Sequence, residues 1–193
     1  MLYQLNTRRI NYMLAFLRES ELITNDTNTS IVSLHKADLR HVDLHDVDLH
    51  ALDLSATNFR EANLSGAYIN KANLSGASFG NANLSRTNFR RSNLSKADLS
   101  GANLSGTVFS ETNLSGATIM GANFNNTFFE GANLSGANFS LAKFMGAELR
   151  AKLGSTKVDL SKTYLKTATI DKTSLDEIFV TKQQIETMNI IDS

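Results

Sequence analysis

A large apolar residue stands at every fifth position from Leu34 to Leu149, 24 units without a break. Leu39, Leu44, Leu49, Leu54, Phe59, Leu64, Ile69, Leu74, Phe79, Leu84 and Phe89 continue the run from Leu34. Two residues before each stands a small or β-branched one, usually Ala (Ala62, Ala72, Ala102), sometimes Thr or Val, and once Leu52. Asn or Asp mostly fills the position between them, and Ser then Gly often follow, as in Leu64-Ser65-Gly66. A period of five suits neither common element. Five helical residues end about 140° away from the starting direction, and five residues of flat strand end on the opposite face. The chain must therefore turn once per unit. Ser, Gly and Asn are the turn formers such a corner needs, with Gly free to take positive φ. Each unit reads as a short extended side with two inward residues, one small and one large, followed by a corner. Successive coils then stack through backbone hydrogen bonds about 4.8 Å apart.

Over residues 34–149 this pattern resembles the pentapeptide-repeat family. The resemblance implies an all-β solenoid, a right-handed quadrilateral β-helix with four repeats per coil. Two features of the chain agree with four sides: Thr-x-Phe recurs at 87–89, 107–109 and 127–129, and positions 34, 54, 74, 94, 114 and 134 are all Leu. After Leu149 the register slips near 150–157, where the chain carries one residue too many, and resumes at Val158-Asp159-Leu160, then Leu165, Ile170 and Leu175. About seven coils are expected, a rod of roughly 30–35 Å at the strand spacing.

A solenoid needs covered ends. From Asn6, the expected N-cap, to about Ser20, the residues Ile10, Met13, Leu14 and Leu17 form an apolar helical stripe, with Arg8, Arg9, Arg18 and Glu19 opposite. At the other end Thr181-Lys182-Gln183-Gln184 has capping-box spacing, and Ile185 and Met188 give a short helix an apolar edge. The organisation expected is an N-terminal capping helix and linker over 1–30, the repeat solenoid over 31–180, and a C-terminal capping helix and tail over 181–193. Proline is absent from all 193 residues, as a backbone committed to hydrogen-bond ladders requires. With no Cys, disulfides, thiolate ligands and Cys nucleophiles are excluded. No run of apolar residues is long enough to span a membrane and no signal-peptide pattern opens the chain, so a cytoplasmic protein is expected.

Candidates for chemistry are few. All four His lie between His35 and His50 among Asp38, Asp43, Asp46, Asp48 and Asp53, yet His45 and His50 hold the same place in successive units and so project from different corners rather than converging on a metal. Serine recurs at the corners, where its hydroxyl can bond local backbone, and the glycines keep corner spacing rather than that of a phosphate loop. No enzyme, cofactor, metal or small-molecule substrate is expected. Lys plus Arg and Asp plus Glu each number 19, so no net field draws the chain to nucleic acid. Arg86, Arg90, Arg91 and Lys96 make the one dense basic patch, with Glu111 one coil above Arg91. Asn63, Asn83, Asn103 and Asn123, and likewise Asn73, Asn93, Asn113 and Asn133, should stack as amide ladders.

One side breaks the polar rule. Its outward positions read Tyr68, Asn88, Val108, Phe128 and Glu148, with Met145 at the adjoining corner. Tyr68, Val108, Phe128 and Met145 are therefore the candidate surface for a protein partner or homodimer, and a non-enzymatic interaction or scaffold module is the expected role. The resemblance also implies an alternative, a mimic of duplex DNA that binds type II topoisomerase and protects it from quinolones. That needs a strongly negative rod, which equal numbers of acidic and basic residues do not make.

Overall fold

The computed structural model describes residues 7–20, 22, 33–144, 158–159, 169–171 and 178–191. From 36 to 141 every corner holds a residue of positive φ. Ala72 N–H donates to Ser92 Oγ at 3.1 Å, but at most corners the small inward residue donates its N–H to the carbonyl of the large residue three positions back, as Ala67 does to Leu64 at 3.0 Å, after a residue of φ +70° at Gly66. This is the signature of a type II turn. Eight corners place Gly there and 14 another residue, among them Ala51, Glu61, Arg91 and Leu141, all with φ between +52° and +63°.

Parallel bridges join each outward residue to the one 20 positions on, from Asp38↔Asn58 to Asn123↔Lys143. Four five-residue units therefore make one coil. At each bridge the upper residue donates to the coil below and accepts from it: Asn58 N–H reaches Ala37 O at 2.9 Å, and Leu39 N–H reaches Asn58 O at 2.8 Å.

Inside, the large residues form four columns. Leu54, Leu74, Leu94 and Leu114 are wholly buried, each worth about 1.5–3 kcal/mol of transfer free energy. Phe89, Phe109 and Phe129 stack with centroids 5.4 Å apart at both steps. Where the small residue is Thr or Ser, it too is buried, and its hydroxyl donates to a carbonyl of the coil below: Thr87 to Leu64 O at 2.8 Å, Ser92 to Ile69 O at 2.6 Å. A buried hydroxyl left without that acceptor would be costly.

The expected N-terminal helix is α1, Thr7–Glu19. Asn6 and the side chains of Arg8, Ile10 and Arg18 lie outside the described residues. Leu14 is buried within the core and Leu17 packs against it. Asn11 supplies an acceptor that a coil below would otherwise provide, its Oδ1 accepting the Asp48 N–H at 3.1 Å, and its Nδ2 donates to Asp46 O at 3.5 Å.

Beyond the regular coils lie β1 (Lys143–Phe144), β2 (Val158–Asp159), β3 (Thr169–Asp171), β4 (Ile178–Phe179), α2 (Lys182–Thr187) and β5 (Asn189–Ile191). β1 pairs with β3 at Lys143↔Thr169, a step of 26 residues. That is one regular coil plus one unit plus one extra residue, in keeping with the slip expected at 150–157, a segment itself outside the described residues. The step returns to 20 at Val158↔Ile178 and Thr169↔Asn189. The capping box of α2 forms as expected, Gln184 N–H to Thr181 Oγ1 at 3.2 Å and Thr181 N–H to Gln184 Oε1 at 2.8 Å. The expectation that 181–193 is a helix and tail needs correcting. α2 is followed by β5, which pairs in parallel with β3 and makes Asn189 the eighth rung of its column. Met188 is buried but Ile185 is exposed. The helix signal lies in Thr181 and Gln184, whereas the strand rests on Ile190 falling one coil period after Ile170.

Candidate functional site

Along an extended side, neighbours of an inward residue point outward. On one side of the rod these outward residues are Asp48, Tyr68, Asn88, Val108 and Phe128, joined by consecutive bridges into a single column. Tyr68 is 56% exposed and Phe128 37%, with Val108 half-buried above Asn88. Met145 lies outside the described residues.

The other sides present polar ladders. Asn83 Nδ2 donates to Asn63 Oδ1 at 3.1 Å, and Asn93 Nδ2 to Asn73 Oδ1 at 3.3 Å. These Asn Oδ1 atoms also cap their own corners, accepting the N–H two residues on, most often that of a Ser, as Asn93 does from Ser95 at 3.1 Å. Several corner hydroxyls donate to this same oxygen rather than to the backbone, Ser65 to Asn63 at 2.8 Å for example. Tyr, Val and Phe can do none of this, so the column of Tyr68, Val108 and Phe128 breaks the ladder.

Charge is sorted along the corner that follows this side. It carries Lys71, then Arg90 and Arg91, then Glu111, then Glu130, in ascending coils. Asn70, Lys71, Asn88, Arg90 and Arg91 line an open hollow of about 250 Å³. The Glu111 carboxylate takes Arg91 Nε at 2.9 Å and Arg90 Nη2 at 2.9 Å. Those hydrogen bonds, that from Arg91 foremost, hold its pKa at about 2. Lys71 and Glu130 have no side-chain partner among the described residues. Neither was singled out from the sequence, where single charges at corners look like ordinary solvated positions. Their alignment becomes visible only when the coil period places them beside the apolar column.

The first coil's acid and histidine residues are spent on neighbours: His45 Nδ1 lies 2.9 Å from Asp43 Oδ1, His50 Nδ1 2.7 Å from Asp48 Oδ1, and Arg40 Nη2 2.7 Å from Asp38 Oδ2. The hydrogen bond with Asp43 raises the His45 pKa. Among the described residues no three His, Asp or Glu converge as a metal site would require. Met120 and Leu141 are also exposed, at the corner diagonally opposite. The signal in the sequence is an apolar residue at corner positions elsewhere held mainly by Ser, Gly or charged residues. No described helix is long and apolar enough to cross a membrane.

A family model described as pentapeptide repeats matches the chain in eight copies, over 43–86, 72–110, 87–126 and 112–150. No curated protein matches it by sequence. Among solved structures it is similar to a pentapeptide repeat protein of the Arabidopsis thaliana thylakoid lumen, at 32% identity over 55% of this chain and 68% of that one, with a TM-score of 0.37. It is similar also to a pentapeptide repeat protein of the cyanobacterium Cyanothece 51142, at 20% identity over 82% of this chain and 99% of that one, TM-score 0.41. The plasmid-mediated fluoroquinolone resistance protein QnrB1 is 17% identical over 81% of this chain and 85% of its own, TM-score 0.36.

Proposed function

This chain belongs to the pentapeptide-repeat family, and from that premise we propose that it is a non-enzymatic interaction module. In this reading a right-handed, four-sided rod, covered at its N-terminal end by α1, presents one side to a protein partner. The observation that carries the reading is the column of Tyr68, Val108 and Phe128, apolar and at least half exposed at Tyr68, at sites where the other sides hold mainly Asn or Asp. Aromatic anchors in such a patch concentrate binding energy.

The test is the double variant Val108→Asn, Phe128→Asn. Asn is the usual occupant of these positions, so melting should be unchanged while the variant loses proteins that the parent captures from native lysate. Capture at parental strength would assign the surface elsewhere. The alternative of a topoisomerase-directed DNA mimic has no support in the charge distribution, because Asp plus Glu and Lys plus Arg each number 19 and within the acidic first coil Asp38 is paired with Arg40. A gyrase supercoiling assay with added protein is expected to show neither inhibition nor drug protection.

A further inference from the structure

Resting on the reading of this side as an interaction surface, we propose that its occupant is a second copy of the chain, packed antiparallel across a two-fold axis between the coils of Asn88 and Val108. A two-fold interface is self-complementary, residue i meeting j and j meeting i. When the axis lies in the interface and across the rods, it keeps each corner on its own edge and reverses the order of coils. Tyr68 then meets Phe128 of the second copy, and Asn88 meets Val108. On the flanking corner Lys71 meets Glu130, and the Arg90–Arg91 pair meets Glu111.

The charge order is what selects this arrangement. The corner runs positive at Lys71, Arg90 and Arg91 and negative at Glu111 and Glu130, one step per coil, so over these four coils reversal brings opposite signs together. Coil spacing is uniform, so the three steps from Tyr68 to Phe128 and from Lys71 to Glu130 are equal, about 14 Å each. Within the monomer Arg90 and Arg91 already hold Glu111, whereas Lys71 and Glu130 stand without a side-chain partner among the described residues. The dimer would pair them. Parallel packing does the reverse: it sets Arg90 and Arg91 against the corner of Arg86 on the same coil and leaves Lys71 facing Gly66. Like charges so placed select against that arrangement.

The chain lacks cysteine, so crosslinking can read the geometry directly. Sedimentation velocity of the full chain over rising concentration should show a dimer that weakens with salt. Lys71→Glu and Glu130→Lys should each weaken it about tenfold or more, and the two together should restore it, since the swapped charges meet again. Asn88→Cys mixed with Val108→Cys should crosslink under mild oxidation far better than either alone. Preferential crosslinking of Asn88→Cys to itself, or no recovery in the double charge swap, overturns the antiparallel dimer. A parent that stays monomeric at every concentration does so as well. In that case loss of lysate capture by Val108→Asn, Phe128→Asn would still uphold this side as the surface for a different protein, so the two readings fail separately.

Discussion

Replacing Phe109 with Ala probes how the interior holds the coils together. The ring is wholly buried. It lies 5.4 Å from Phe89 with planes 6° apart and 5.4 Å from Phe129 with planes 14° apart, and it is 6.4 Å from Phe124. Truncating a buried Phe costs about 3–5 kcal/mol, and each aromatic pair adds about 0.5–1.5 kcal/mol beyond burial. These contributions overlap, which places the expected loss near the top of the truncation range, about 5 kcal/mol. Leu94 is equally buried but has no ring partners, so Leu94→Ala should cost about 3 kcal/mol, within the usual span for buried Leu. Ser95→Ala, at a corner, should stay within about 0.5 kcal/mol. A domain of ordinary stability has about 5–15 kcal/mol in total, so the Phe109 variant should lose much of its cooperative transition. Urea unfolding followed by far-ultraviolet circular dichroism, with midpoints compared at matched slope, measures all three. If Phe109→Ala costs no more than Leu94→Ala, the stacked column adds nothing beyond burial. If Ser95→Ala matches either, the division into inward and outward positions is wrong.

Glu111 has a folded pKa near 2, below its unfolded value, so its contribution is present above the usual carboxylate range and is lost as pH falls towards 2. Carbon-detected NMR titration should find that low midpoint, and Arg91→Gln should raise it; an unmoved midpoint would refute the assignment to Arg91. A Cβ at Gly121 meets nothing within 4 Å, and its φ is +66°, so Gly121→Ala should cost about 1 kcal/mol through backbone conformation alone. At Gly66 the new Cβ would also meet the Asp46 carboxylate, so a thermal melt should rank Gly66→Ala at least as low. Asn11→Ala should lose about 0.5–1.5 kcal/mol with the Asp48 bond, and removing residues 1–23 should cause association by uncovering Leu39, Leu44 and Leu49. Light scattering that shows a monomer at high concentration would deny α1 a covering role.

Much of this architecture could be read from the chain because a solenoid repeats one environment. Each unit's small and large residues meet the same neighbours one coil away, so the five-residue period alone identifies buried positions such as Leu54 and Leu94, the Asn ladders and the need for a corner. The all-Leu column spaced by 20 anticipated the Asp38↔Asn58 step. Met188 and the capping box were legible too, being local signals. Other properties depend on contacts that no single unit contains. Fourteen corners hold a left-handed residue other than Gly, including Leu141, because ladder bonds on both sides of each corner outweigh a penalty of about 1 kcal/mol that no isolated pentapeptide would bear. Thr87 and Ser92 looked like small core fillers, and only stacking supplied the carbonyls of Leu64 and Ile69 to their hydroxyls. β5 required the sheet edge of β3, since Asn189-Ile190-Ile191 extends a ladder that begins far back in the chain. The alignment of Lys71 through Glu130 beside Tyr68 and Phe128 has the same origin: residues 20 apart become neighbours only when four turns close the coil.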